Sequence, residues 1–298
     1  MRNYCITIFL LLLVSTSSVV ASESSLDHNN IQWSRLVYEA SAFFITLQSE
    51  VKQQSMALDS AEKQLVLSND PNVISPGAET IYKVENYSEG FGKEARYTLW
   101  FDGNGAALQR KKLVSGKKNE IKIYRFSPCG YYTLRKKFPN KNFDKNFDQW
   151  KKTNKSFSEF SPELCGQGPV YDVNALMYLI SALNIKQVGY EKEFLTFSDG
   201  RLLKVRLIAK KMTTVYGDFN ITTPQKNISI DKSIDVLELH LTPITSNRKE
   251  RDSFRFLGLK GNIKVYLDLT HRLIVRLRGK VDVVGQLDIN LKKAELLR

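Results

Sequence analysis

Cysteine and histidine are scarce in this chain, three of each among 298 residues. No histidine lies near Cys129 or Cys165, and two thiolates alone do not complete a zinc site, so metal binding is not expected. Glycine (16) and proline (8) are too few for a collagen-like or low-complexity chain, and 42% apolar residues are too many for a wholly disordered one. Beyond the first twenty or so residues, no apolar run approaches the roughly twenty residues that a membrane-spanning helix needs. The motifs of familiar chemistry are missing too. There is no Gly-x-Ser-x-Gly elbow, no His-Glu-x-x-His pair, no phosphate-cradling Gly-Lys-Ser/Thr loop and no dinucleotide fingerprint. Ser115-Gly116-Lys117-Lys118 has the Ser-x-x-Lys spacing of penicillin-interacting enzymes, but no Lys-Thr-Gly or Ser-Asp-Asn element accompanies it, and it falls in a hairpin turn. His28 lies in a polar leader, His240 alternates out of phase with Leu237, Leu239 and Leu241 and is expected at solvent, and His271 belongs to a turn. Structural or solvated roles are expected for all three, and no catalytic residue or cofactor is expected.

What is present in excess is positive charge, +13 in all. Fifteen Lys or Arg fall between Arg110 and Lys155, opposed only by Glu120, Asp144 and Asp148, so this stretch holds all but one unit of the net charge. A localised field of this kind attracts anions and says nothing about fold. Aromatic residues are interleaved with it, among them Tyr124, Phe126, Tyr131, Tyr132, Phe138 and Trp150.

The amino terminus reads as a secretory signal. Arg2 supplies a positive start, Ile6 to Val14 an apolar core of nine residues, and Val19-Val20-Ala21 a small-residue cleavage site. Residues 1–21 are therefore expected to be removed and 22–298 exported as one β-rich domain. Cys5 precedes the apolar core rather than marking a cleavage site, which argues against a lipoprotein anchor. In an oxidising compartment Cys129 and Cys165 are expected to pair. They bound an insertion at about 129–165 whose residues 139–163 are rich in Asn, Lys and Ser and lack alternation, so that it reads as a loop. Within it Phe143, Phe147 and Trp150 fall at the spacing of a short helical face.

The rest reads mostly as strands. Trp33 to Val51 is expected to be one long strand, alternating at first and broadly apolar through Phe43-Phe44-Ile45. Asp102-Gly103-Asn104-Gly105 marks a hairpin turn between Tyr97–Phe101 and Ala106–Val114. Further strands are expected around Ile121–Phe126 and Tyr131–Phe138, with another hairpin around Ser198-Asp199-Gly200. One helix is expected over Val173–Leu183, capped by Asp172, with Leu176, Leu179, Ile180 and Leu183 on one face. Near the carboxyl end Ile263 to Leu269, Leu273 to Leu277 and Leu287 to Leu291 alternate apolar and polar residues, which predicts an antiparallel meander packed on one side. About a dozen strands and one helix imply a mainly β fold, a curved antiparallel sheet or partial barrel with the helix on its concave side.

These segments carry a resemblance. Leu36-Val37-Tyr38-Glu39, the helix from Tyr171 to Leu179, Phe197-Ser198-Asp199-Gly200-Arg201, Val265-Tyr266-Leu267-Asp268, Val275-Arg276-Leu277-Arg278-Gly279 and Lys293-Ala294-Glu295-Leu296 resemble, in that order, the exported bacterial family called domain of unknown function 3108. The likeness is best in the carboxyl half. Ile274 stands where the family pattern has proline. The resemblance implies a periplasmic, β-rich protein of a Gram-negative bacterium and implies no activity.

Readings from different classes remain open. In the first, an exported non-enzymatic binding or envelope-maintenance protein holds an apolar or amphipathic ligand, and its basic surface faces anionic lipid, lipopolysaccharide or cell-wall polymer. Its anion-contact candidates are Lys117, Lys118, Lys122, Arg125, Arg135, Lys136, Lys137, Lys151 and Lys152, and its aromatic candidates are Tyr131, Tyr132 and Trp150. Export removes nucleic acid from the plausible partners. The same block also fits a solvated face that binds nothing. The alternatives are an envelope hydrolase or transferase working through a pair of carboxylates with raised pKa values, and a structural scaffold.

Overall fold

The computed structural model describes residues 26–42, 45–66, 73–77, 79–90, 93–115, 119–137, 152–282 and 284–297. The expected leader, the helical face of Phe143, Phe147 and Trp150, and the candidates Lys117, Lys118 and Lys151 lie outside them. Eight strands follow one another as an antiparallel meander: β1 (Trp33–Ala42), β2 (Ile45–Ala57), β3 (Thr80–Gly90), β4 (Lys93–Phe101), β5 (Ala107–Ser115), β6 (Glu120–Ser127), β7 (Gly130–Lys137) and β8 (Lys152–Glu159). A short helix, α1 (Leu58–Glu62), separates β2 from β3. After β9 (Val170–Asp172) a 3-10 turn, Val173–Ala175, enters α2 (Leu176–Ala182). Then come β10 (Glu191–Ser198), β11 (Arg201–Thr222), β12 (Asn227–Pro243), α3 (Arg248–Ser253) and β13 (Arg255–Phe256). The last three strands are β14 (Leu259–Asp268), β15 (Leu273–Val281) and β16 (Gly285–Leu296).

All sixteen strands belong to one curved sheet, joined where β1 pairs antiparallel with β16. The end of β11, Asn220 to Thr222, pairs in parallel with Lys293 to Glu295 of β16. That contact closes β11, β12, β14, β15 and β16 into a ring, while β8 and β9 stay at the two ends of the strand order.

Two expectations change. Trp33–Val51 is not one strand but a hairpin, with Ala42 opposite Ile45 and Leu36 opposite Val51. The phase changes with the reversal: even positions (Leu36, Tyr38, Ala40) face the core in β1, and Val51, opposite Leu36, does so in β2. Residues 139–163 are not wholly loop either, since Lys152 to Glu159 pairs along its length with β7.

All seven residues of α2 are buried, which is why its sequence is apolar on every side rather than striped. The 3-10 turn that leads into it and its carboxyl end are both satisfied by side chains. The Asp172 carboxylate accepts from Asn174 N at 2.9 Å, capping the first turn. At the other end Arg272 donates to the carbonyls of Ser181 (3.1 Å), Ile185 (2.9 Å) and Leu183, groups that no intrahelical partner can reach. The sheet curves round this helix. Trp33, Tyr82 and Phe101 place their rings 5.1–6.4 Å from that of Tyr178. Gly105, at φ 82°, closes the β4–β5 turn where a Cβ would come within 2.8 Å of Leu179; only glycine suits both demands.

His28 stands in this core rather than in a solvated leader. Its ring stacks on Tyr82 with centroids 3.9 Å apart. Its Nε2 lies 2.9 Å from the Gly103 carbonyl oxygen and its Nδ1 lies 2.7 Å from the Tyr178 hydroxyl. A carbonyl only accepts, so Nε2 carries the proton and Nδ1 accepts from Tyr178. A second apolar cluster, Ala61, Leu65, Ile81, Trp100 and Leu108, lies on the opposite face of the sheet under α1.

Candidate functional site: a basic ladder on the concave face

Directly opposed residues of neighbouring strands share one face of a sheet. From β3 to β8 the register aligns Asn86 with Tyr97, Tyr97 with Lys112, Lys112 with Lys122, Lys122 with Arg135 and Arg135 with Asn154. The adjacent row on the same face runs Val84, Leu99, Arg110, Tyr124, Thr133, Ser156. Val84 and Leu99 belong to the core that covers α2, so the ladder lies on the concave, helix-bearing side. Three cations therefore stand side by side on three consecutive strands.

Like charges directly opposed in a sheet destabilise it, and one carboxylate offsets this. Glu120 accepts from Arg135 Nε at 2.6 Å and lies 3.2 Å from Lys122 Nζ. Burial works against its charge, yet the hydrogen bonds from Arg135 and Lys122 outweigh burial and hold its carboxyl below the usual carboxylate range. Lys112 lies 5.3 Å from the centre of the Tyr97 ring, a cation–π contact. Lys137, opposite Glu120, is exposed. Among the described residues of β3–β8, Glu120 is the one carboxylate whose register puts it on this face. Glu85, Glu89 and Glu94 stand on the other. No pair of carboxylates with raised pKa values faces the ladder among the described residues.

In the row beside the ladder Arg110 is buried. Its Nη1 lies 3.1 Å from Asp172 Oδ2, the two side chains being 4% and 0% exposed. Its guanidinium sits 4.3 Å from the Tyr124 ring and 4.6 Å from the Phe197 ring. Burial, the largest single influence, opposes the charge of Arg110, but the Asp172 carboxylate together with Tyr124 and Tyr97 outweighs it and holds the guanidinium above its ordinary pKa.

The expected contact residues divide between two faces. Lys122, Arg135 and Lys137 lie on the concave face and Lys136 on the outer one. Lys152 opens β8 opposite Lys137. Arg125 is 9% exposed and donates to the carbonyls of Val66 (3.0 Å) and Ile74 (3.3 Å). It pins the segment after α1 to the sheet. Tyr131 donates to the Gly200 carbonyl at 3.1 Å and packs 4.8 Å from Phe197, so it serves the core. Tyr132 is on the outer face, 4.6 Å from Phe157. Lys112, Arg110 and Asp172 were not among the expected residues. The phase of β5 carries the signal for Lys112, which is two residues from Arg110, but nothing along the chain pairs Arg110 with Asp172.

Cys129 and Cys165 form the expected disulfide, with Cα atoms 4.4 Å apart. It ties the β6–β7 turn to the segment after β8, and Phe160 N to Cys129 O (2.9 Å) and Gly166 N to Pro128 O (3.2 Å) reinforce it. A polar hollow of about 240 Å³ lies elsewhere, lined by Ser34, Arg35, Lys52, Gln53, Lys83 and Glu295 among others. Its cations are already paired: Arg35 and Lys52 with Glu50, and Lys83 with Glu85. His240 lies 2.6 Å from the Glu238 carboxylate.

Among the described residues no cluster of three His, Cys, Asp or Glu could hold a metal ion, and no helix is long and apolar enough to cross a membrane. Comparisons with protein-family models, with curated proteins and with solved structures find no match.

Proposed function

We propose that the chain is an exported, non-enzymatic binding protein of the bacterial envelope that holds an anionic component on its basic ladder. The observation that carries this reading is the alignment of Lys112, Lys122 and Arg135 on adjacent strands of the concave face, with Glu120 as their one counter-charge among the described residues of these strands. Side chains already consumed by ion pairs, such as Arg110, leave nothing for a ligand, whereas the ladder and Lys137 keep cationic capacity beyond what Glu120 neutralises. The signal-like amino terminus and the disulfide suit an oxidising, extracytoplasmic compartment. The resemblance to the exported family of unknown function points the same way. Because α2 fills the apolar part of the concave face, the ligand feature that is recognised is its negative charge.

The test offers the mature protein anionic lipid vesicles, lipopolysaccharide and a soluble acidic glycan, each beside a neutral counterpart, at low and at high salt. Preference for at least one anion over its neutral counterpart, weakening as salt rises, is the expected result. Equal binding to charged and neutral forms of every pair would remove the proposal.

A further inference from the structure

We infer that the ligand is a linear acidic glycan that lies across the strands, along the ladder; the inference rests on the anion-binding reading above. Three features separate it from other anions. The cations repeat from strand to strand, at about 4.8 Å per step, a spacing close to the advance of one sugar in an extended polysaccharide. They form a line and not a convergent pocket, because Glu120 sits against Lys122 and Arg135 and Lys112 is drawn instead over Tyr97. A single phosphate would need donors aimed at one point. The ladder also stands on the concave, helix-bearing side of the curved sheet, in the row next to the core residue Leu99, a surface whose curve suits a thin chain better than a flat bilayer.

The neighbouring groups fit the same class. Tyr97 and Asn154 continue the row at either end of the cations. Thr133 and Ser156 stand in the adjacent row on the same face. Hydroxyls and an amide beside a line of cations match a polymer that presents hydroxyls between carboxylates. The acidic residues of β3 and β4 face the other way, so the groove is not opposed by its own sheet.

The experiment is calorimetric titration of the disulfide-intact mature chain at low salt with galacturonic acid and its linear oligomers, and in parallel with inorganic phosphate and with phosphatidylglycerol vesicles. Affinity is expected to rise with oligomer length and level off near four sugars, about the span of the row at ~4.8 Å per strand. Lys112→Gln with Lys122→Gln should weaken the oligomer by about tenfold or more, while Lys136→Gln with Lys155→Gln on the outer face should change it by less than about twofold. Glu120→Gln should tighten it, a gain that a misfolded variant cannot produce. Monomer or phosphate binding as tightly as the oligomers would overturn the inference and leave an anion site. Vesicles bound in place of oligomers would overturn it in favour of a membrane surface. If no anion binds, both this inference and the reading beneath it fall.

Discussion

Arg110 on β5 and Asp172 at the cap of the 3-10 turn that leads into α2 form a buried ion pair, Nη1 to Oδ2 3.1 Å, that joins the sheet to the helix it wraps. One carboxylate serves both partners: Oδ2 faces the guanidinium while Oδ1 accepts from the backbone N–H of Asn174 at 2.9 Å and from its side-chain amide at 2.7 Å. The arginine is flanked by the Tyr124 and Phe197 rings, which shield the pair from water.

Removing one member leaves the other as a buried, uncompensated charge. Arg110→Met is expected to cost about 3–5 kcal/mol in denaturant unfolding, and adding Asp172→Asn should recover part of that by removing the stranded charge. Asn at 172 can still cap the turn. A cost below about 1 kcal/mol for Arg110→Met would show that the pair does not hold the helix to the sheet.

His28 is the second tie between an early segment and the helix. His28→Ala leaves the Tyr178 hydroxyl, aimed into the core, without its acceptor at 2.7 Å. Burial, with a smaller contribution from Tyr82, already pushes that phenol far above its ordinary pKa, so ionisation offers no relief. The expected loss is about 1–3 kcal/mol, and Tyr178→Phe in the same background should restore a part of it because the orphaned group is gone. Thermal unfolding of the two variants decides the matter; an unchanged or worsened melting temperature on adding Tyr178→Phe would count against the bond.

Where local chemistry and packing agree, the fold was legible. The carboxyl strands alternate with a period of two because one of their faces lines the core, and β14, β15 and β16 stand close to where the alternation puts them. Asp172 followed by an apolar segment announced the helix for the same reason that it caps it. The β1–β2 hairpin was hidden because Phe43 and Phe44, between the paired ends, are not turn formers. The edge strand β8 was hidden by its polar composition: almost all of its described side chains are exposed, so no apolar period marks it. The ladder was half legible. That the basic block would alternate between faces follows from strand geometry, but which cations stand together depends on register across β5, β6 and β7, a long-range property. His28 and Arg272 gave no periodic signal, since each acts through a single side chain reaching distant backbone.

Acid should unfold the protein partly through Glu238. Burial penalises its carboxylate, but hydrogen bonds from His240 (2.6 Å) and Lys264 (3.0 Å) outweigh burial and hold its pKa below the usual range. A depressed folded-state value means that this stabilisation is present above the ordinary carboxylate pKa of 4.5 and is lost as pH falls through the lower folded value. Glu238→Gln is therefore expected to lower stability near neutral pH and to flatten the acid limb of a stability–pH curve. Parallel curves for the two proteins between pH 6 and about 2 would exclude the contribution.

The disulfide makes a prediction that reaches the ladder itself. Its ends are 36 residues apart, and closing a loop of that length is worth roughly 3–4 kcal/mol in the chain-entropy model. Cys129→Ala with Cys165→Ala should lose that amount, and reductant should lower the melting temperature of the parent protein but not of the variant. The loss should also be uneven. β8 pairs only with β7 among the described strands, and the disulfide fixes the β6–β7 turn beside the segment that follows β8. Freed from that clamp, the β8 amides should exchange with solvent faster than those of β5 and β6, whose ladders are paired on both sides. Because Arg135 faces Asn154 across the β7–β8 pairing, loosening that edge should weaken acidic-oligomer binding less than loss of Lys112 and Lys122 does. Uniform exchange across β5 to β8 after reduction would mean that the bond stabilises the sheet as a whole and does not hold its edge.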